Sequence, residues 1–203
     1  MSSVLAATLL SAGMSLLKEA KEAASAPSER PVGWELLGTY NVLSGPVDGI
    51  YRVAIPADNP LRLRHGDTDI VVPYAELYTD FGSIPRWCKA VAESLHFNAL
   101  HLPPDAYPRS TLLHDALYAA AWVWAVRDGK ALRVAIPRGA ADAALMIALK
   151  CEGATRADVL AYSAAVKCFG EFAWHDHRYS PPDFPLLFQP TEQPTITTPE
   201  NNA

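Results

Sequence analysis

The stretch from residue 111 to residue 126 reads TLLHDALYAAAWVWAV and carries three polar side chains in an otherwise mostly apolar run. His114 and Asp115 are adjacent, about 100° apart around a helix axis, and Tyr118 lies one turn further on, between them. Burying such groups on an apolar helix without hydrogen-bond partners costs about 1–3 kcal/mol each. The chain therefore has to fold so that a second element supplies partners.

A second helical stretch, RGAADAALMIALKC from residue 138 to residue 151, offers one partner. Its single acidic side chain is Asp142, which is surrounded by alanine and leucine. We expect the two helices to pack antiparallel, with Asp142 binding both the His114 ring and the Tyr118 hydroxyl. This pairing would fix the imidazole tautomer and leave the other ring nitrogen available for chemistry.

Apolar residues at a helical period predict three main helices in the second half of the chain. Gly129 and Gly153 are candidate breaks after the first two. Thr155 and Asp158 resemble a capping box at the start of the third, with aspartate in place of glutamate. The predicted helices span residues 110–126, 138–151 and 155–173.

The preceding part of the chain has strand and turn signals instead. Alternating and β-branched runs end at prolines, and turn markers such as Ser44-Gly45-Pro46 separate them. A small antiparallel sheet followed by a layer of three main helices, an α+β fold, accounts for this order. The predicted strands span residues 49–55, 68–72 and 76–78.

The 203 residues fit one domain with tails. Residues 1–31 are predicted to be an N-terminal helix (residues 3–23) and a linker, and residues 32–179 a single α+β domain with a short helix at 87–95. Residues 180–203 carry six prolines, so we expect an extended tail without a core strand or helix.

Charge and cysteine usage exclude several classes of protein. The net charge is −5 and no basic run occurs, which argues against nucleic-acid binding. The apolar N-terminal run is too short to span a bilayer, and no transmembrane segment is expected. Cys88, Cys151 and Cys168 fit no zinc or redox motif, which suggests free thiols in a reducing compartment.

Four motifs in order, TDFGSIPRW, LLHDALY, RGAADAALMIAL and YSAAVKCFG, resemble a family of proteins encoded by tailed bacteriophages and prophages. The family pattern is a TDFxSIP loop, an HDxLY helix, an RxxAD helix and a terminal Tyr–Val–Phe–Gly helix. The resemblance covers about half the chain, residues 78–170, and implies a phage context without a mechanism.

The helix pair also resembles, more distantly, the core of secreted phospholipases of the A-two class and the phospholipase domain of some viral capsid proteins. That resemblance implies that His114 is a general base activating water, that Asp142 and Tyr118 orient it, and that Asp115 binds calcium. The glycine-rich calcium loop and the disulfides of the secreted enzymes are missing. Residues 79–83 would have to replace that loop, with Asp80 as a second carboxylate ligand.

Other constellations have weaker support. Asp80, Ser83 and His114 suggest a serine hydrolase, but no strand–turn–helix elbow surrounds Ser83. Residues 175–177, His-Asp-His, suggest a metal site, although a solvated helix end is the preferred interpretation. Two tryptophans are expected in the core or in an interface rather than in a ligand platform. They are Trp122 and Trp124.

Two functions from different classes follow. The first is a calcium-dependent lipid-ester hydrolase acting on phospholipid. The second is a non-enzymatic virion component, associated with the tail or capsid, in which the cluster of His114, Asp115 and Asp142 is a buried network that fixes helix register. Either protein would be made in the host cytoplasm, and the second would bind other virion proteins.

Overall fold

The computed structural model describes residues 26–47, 50–73, 76–79 and 106–176. In these residues two antiparallel sheets and three helices form, which confirms the α+β class. The five-stranded sheet has the order β1-β4-β5-β7-β8 and the three-stranded sheet has the order β2-β3-β6. The elements are β1 (Trp34–Leu37), β2 (Asn41–Val47), β3 (Ile50–Ala54), β4 (Arg62–His65), β5 (Thr68–Val71), β6 (Glu76–Thr79), α1 (Pro108–Ala120), β7 (Trp122–Arg127), β8 (Lys130–Ala135), α2 (Arg138–Cys151) and α3 (Arg156–Asp176).

The predicted first helix, residues 110–126, is wrong in its second half. Helix α1 ends at Ala120, Ala121 adopts a left-handed conformation with φ of 57°, and the chain continues as β7. Aromatic and β-branched residues from Trp122 onward suit a strand, and β7 pairs with β5 on one side and β8 on the other. Gly129 is therefore not a helix break. With Asp128 it forms the β7–β8 turn, where φ is 51° and 69°, as in a two-residue hairpin.

The other predicted elements agree more closely with the structure. Helix α2 has the predicted bounds, and α3 begins as predicted. The Thr155 amide donates to Asp158 Oδ2, and the Asp158 amide donates to Thr155 Oγ1, both at 3.1 Å, so the capping box is confirmed. Strands β3, β5 and β6 lie where expected, whereas β1, β2, β4 and β8 were missed. The supposed turn at residues 44–46 lies inside β2, an edge strand whose register is interrupted there.

Helix α1 is packed between the two sheets. It contributes Leu112, Leu113 and Leu117 to a core cluster that also holds Leu63 of the five-stranded sheet and Leu77 of the three-stranded sheet. At 25 cal/mol per Å² of apolar surface, each fully buried leucine contributes about 1.5–3 kcal/mol. A second cluster, around Leu145, Leu149 and Tyr162, joins α2 to α3. The first cluster fixes α1 against both sheets, and the second fixes α2 against α3.

Several predicted features lie outside the described residues. They are the N-terminal helix at 3–23, the loop after Thr79, the short helix at 87–95, Cys88 and the tail at 180–203. Within the described ranges no helix is both long enough and apolar enough to cross a membrane. Cys151 is half-buried with a free thiol, and burial raises its pKa.

Candidate active site

Helices α1 and α2 run antiparallel, as their end-to-end contacts show. Arg109, at the start of α1, forms an ion pair with Glu152, just after the end of α2. Tyr118, near the end of α1, donates its hydroxyl hydrogen to Asp142, in the first turns of α2. The antiparallel packing expected from the sequence is therefore confirmed, and it places the two polar patches on facing helix surfaces.

The predicted contact between His114 and Asp142 is present. The imidazole Nε2 of His114 lies 3.5 Å from Oδ1 of Asp142. Their side chains are 12% and 18% exposed, so neither is sealed from solvent. Because an ionised carboxylate can only accept, the ring proton belongs on Nε2, and Nδ1 is then the nitrogen with an acceptor lone pair.

Tyr118 completes the pairing that the sequence predicts. Its hydroxyl donates to the same Oδ1 atom of Asp142, and its ring centroid lies 4.1 Å from that of His114. Trp174 of α3 covers the other side, edge-on, at 5.1 Å between centroids. Burial, followed by the hydrogen bond to the Asp142 carboxylate, raises the pKa of Tyr118 above its ordinary value. The hydroxyl is therefore a permanent donor at neutral pH.

Arg138 is a member of the site that the sequence analysis missed. Arg138 lies one helical turn before Asp142 on α2, and its Nη1 is 3.5 Å from Asp142 Oδ2. This is the carboxylate oxygen that His114 and Tyr118 do not contact. Burial raises the pKa of Asp142, but hydrogen bonds from His114 and Tyr118 and the nearby positive charge outweigh it. The pKa of Asp142 is therefore lowered. The sequence did carry a signal for Arg138, because it is the arginine of the RxxAD motif.

Three of the four motifs identified in the sequence meet at this cluster. Arg138 Nη1 donates to the backbone carbonyl of Val166 at 3.2 Å, and Gly170 lies against both Arg138 and Tyr118. A Cβ on Gly170 would stand 2.5 Å from the Tyr118 hydroxyl oxygen and 2.9 Å from Arg138 Nη1. The valine and glycine of the last motif thus pack on residues of the second and third.

The first motif reaches the same region through Thr79. Its hydroxyl donates to Asp115 Oδ2 at 2.5 Å, so the residue predicted to bind calcium is tied to the end of β6. Asp80, the other predicted ligand, follows directly in the chain but lies outside the described residues. Among the residues described, no three acidic, histidine or cysteine side chains converge on a point that suits a metal. The oxygens of Asp115 and Thr79 are nevertheless of the type that calcium prefers.

The weaker constellations fall largely outside the described residues. The ring of His114 faces Asp142, whereas Ser83 and Asp80 of the alternative triad lie outside the described residues. His175 and Asp176 occupy the last turn of α3, and residue 177 follows it. Trp122 and Trp124 stand edge-to-face at 5.2 Å on β7, with the Arg133 guanidinium 4.2 Å from the first ring.

Comparison of the chain with family models, with curated proteins and with solved structures finds no match. Functional inference therefore depends on the chemistry of the cluster itself. The His114 cluster is defined here as His114, Tyr118, Arg138 and Asp142. It contains an oriented imidazole, a carboxylate that orients it and a partly exposed edge, which together can move a proton to or from water.

Proposed function

We propose that this protein is a phage- or prophage-encoded, calcium-dependent hydrolase of lipid esters in which His114 is the general base. The observation that carries the proposal is that Asp142 Oδ1 both accepts from Tyr118 and faces Nε2 of His114. A carboxylate held by a second donor keeps the imidazole in one tautomer and one orientation. The phage origin rests on the four sequence motifs.

The reaction follows from the orientation of the ring. Nδ1 of His114 removes a proton from a water molecule, whose oxygen attacks the ester carbonyl carbon while Asp142 stabilises the imidazolium. The same nitrogen then returns the proton to the departing alcohol oxygen, which releases a carboxylate and an alcohol. A cation held by Asp115 and the Thr79 hydroxyl would supply positive charge for the developing oxyanion.

The second candidate, a virion component, also has an observation in its favour. Arg138 joins Asp142 of α2 to Val166 and Glu171 of α3, while Tyr118 joins α1 to the same carboxylate. A network that ties three helices together fixes their register without any chemistry. In that case the protein would bind other virion proteins, and Asp142 would serve only as the hub of the network.

Calcium-dependent release of fatty acid from phospholipid vesicles separates the two functions. The wild type should release fatty acid with increasing calcium, and His114→Ala should lose roughly 100-fold or more of that rate, the range for a general base. Asp115→Asn, which keeps an acceptor for Thr79, should raise the calcium concentration required. The matched control is His65→Ala, since His65 stacks on Trp34 in the five-stranded sheet, away from the site.

The virion-component function makes the opposite prediction for the same proteins. Wild type would release no fatty acid, and calcium would not change its melting temperature. His114→Ala would then be destabilised by about 1–3 kcal/mol, because Asp142 and Tyr118 lose a partner in a half-buried network. That combination of results would defeat the hydrolase proposal.

A further inference from the structure

Asp142 uses its two oxygens for different purposes. Oδ1 faces Tyr118 and His114, whereas Oδ2 faces the guanidinium of Arg138. A carboxylate anchored at one oxygen can still rotate about the bond to its Cβ. An ion pair at the second oxygen restricts that rotation, so Arg138 favours one plane of the carboxylate and with it one direction of the contact to His114.

Helix α3 in turn holds Arg138. Its Nε lies 3.2 Å from Glu171 Oε2, and its Nη1 donates to the Val166 carbonyl at 3.2 Å. A surface pair four residues apart on one helix is weak, because the side chains have many alternative rotamers. Three acceptors in different directions restrict the planar guanidinium to one position, which a lysine ammonium on a flexible stem cannot reproduce.

Gly170 allows α3 to come this close. Glycine in a helix interior is unfavourable relative to alanine, so its position in the middle of α3 calls for a packing reason. The reason is that a Cβ there would overlap the ends of the Tyr118 and Arg138 side chains. Those two side chains are the partners of Asp142 other than His114, one through a hydrogen bond and one through an ion pair, and a methyl group at residue 170 would displace both.

We propose that Arg138 is a positioning residue for the His114–Asp142 pair, clamped by Val166 and Glu171 of α3 at a distance that Gly170 makes possible. This inference rests on the proposed hydrolase function, because it assigns the residues that hold the general base in its working orientation. It gives the third helix a direct part in the site. It also accounts for the arginine of the third motif and the glycine of the fourth, to which the mechanism itself assigns no step.

The test compares Arg138→Met, Arg138→Lys and Gly170→Ala with the wild type. Steady-state hydrolysis of a soluble short-chain phospholipid in calcium should show kcat reduced by at least about tenfold in all three variants, the scale of a small misplacement of a catalytic group. KM should not change, because none of the three residues is proposed to contact substrate. Arg138→Lys should have a kcat as low as that of Arg138→Met. If only the positive charge mattered, Arg138→Lys would have a kcat near that of wild type.

The matched control is Arg109→Met. Arg109 also forms an ion pair between α1 and α2, with Glu152 at 3.3 Å, but at the opposite end of the helix pair. Its kcat should stay within about twofold of wild type. If Arg138→Met fails to fold, the other two variants decide the question. Arg138→Lys keeps the aliphatic part of the side chain, and Gly170→Ala keeps the helix. Wild-type kcat in those two variants would overturn the proposal.

A second readout does not depend on activity. The ¹⁵N chemical shifts of the His114 ring, measured at one fixed pH, report which nitrogen carries the proton. Arg138→Lys and Gly170→Ala should mix the two tautomers, while Arg109→Met should keep the proton on Nε2. If wild type hydrolyses no ester, the proposed function fails, and this measurement alone decides the positioning role. An unchanged ring spectrum in the first two variants would then overturn it.

Discussion

The two ends of the α1–α2 helix pair each hold a polar cluster, and helix capping accounts for only one of them. At the start of α1, the capping cluster consists of Arg109, Ser110 and Glu152. Glu152 Oε2 accepts from the Ser110 amide at 3.0 Å and from its hydroxyl at 2.6 Å. The other end holds the His114 cluster. Both clusters place one carboxylate between the same two helices.

The capping cluster has a complete structural explanation. Helix α1 begins at a tyrosine that makes no side-chain cap and at a proline, so its first amides need an acceptor. Glu152 stands just beyond the C-terminus of α2, where the helix dipole disfavours an anion, and meets the N-terminus of α1, where the dipole favours one. Its carboxylate is therefore placed for capping, and no chemistry has to be invoked.

Helix capping does not account for the His114 cluster. None of its members caps a helix end, and buried charged groups between helices can often be replaced by apolar residues without loss of stability. Retaining an imidazole, a carboxylate and a guanidinium at partly exposed positions is typical of a site that moves protons. The comparison teaches that a polar cluster between helices is evidence of function only when helix capping does not already explain it.

The largest expected change in stability concerns the capping cluster. Glu152→Ala removes the acceptor for the amide and hydroxyl of fully buried Ser110, and should lower the free energy of unfolding by about 2–3 kcal/mol. The rate of hydrolysis per folded molecule should not change. Urea unfolding measures the first quantity, and Glu152→Gln, which keeps an acceptor oxygen, is the control that should recover most of the loss.

A smaller loss should distinguish the His114 cluster from a second tyrosine–carboxylate pair, Tyr107 and Asp158, which lies outside both clusters. Tyr118→Phe and Tyr107→Phe each remove a hydroxyl that donates to a carboxylate, Asp142 in one case and Asp158 in the other. Each should cost about 1–2 kcal/mol of stability. Only Tyr118→Phe should lower kcat, by roughly tenfold through a less firmly held Asp142. Equal kcat values in the two variants would show that the Tyr118 hydroxyl contributes no more to hydrolysis than the Tyr107 hydroxyl.

Acid should weaken the His114 cluster in a defined direction. The pKa of Asp142 is lowered in the folded protein, so its stabilisation is present above the unfolded value of about 3.9 and is lost as pH falls through the folded value. The free energy of unfolding of Asp142→Asn should therefore depend less steeply on pH below about 4 than that of wild type. If the free energy of unfolding fell equally steeply with pH in the two proteins, the partners of Asp142 would not stabilise its ionised form.

The smallest expected effect is that of Arg109→Met. The Arg109 side chain is 37% exposed, and Glu152 keeps its bonds to Ser110 without it. The free energy of unfolding should fall by about 0.5 kcal/mol or less, as for other solvent-screened ion pairs. Thermal melting of the variant checks this value. If the free energy of unfolding fell as much as in Glu152→Ala, the ion pair with Arg109 would be the main contribution of Glu152, and not its cap on the start of α1.

The sequence predicts α2 better than α1 for a physical reason. Helix α2 lies between Pro137 and Gly153 and has helical periodicity throughout, so local signals agree. The run after Ala120, AWVWAV, suits a buried helix and a strand equally well. Its pairing with β5, which is 50 or more residues away in sequence, decides between them. The Asp128-Gly129 hairpin signal was present and outweighed by the apolar run before it.

The site shows the same division between local and distant causes. His114, Tyr118 and Asp142 were found because each is a polar group in an apolar helix and must find a partner. Arg138 was missed because an arginine in the first turn of a helix normally points to solvent. The role of Gly170 depends on how closely α3 approaches, which no pattern within α3 records.

The central claim is that His114 and Asp142 act as one chemical unit, and a double-mutant cycle on this pair tests it most directly. Fatty-acid release and urea unfolding are measured for wild type, His114→Ala, Asp142→Asn and the double variant. The account predicts that the double variant hydrolyses no more slowly than His114→Ala, because one unit can be lost only once. The free energy of unfolding should also show coupling, about 0.5–3 kcal/mol, because the two side chains are in contact. Rate losses that multiply, or no hydrolysis in wild type, would contradict the account.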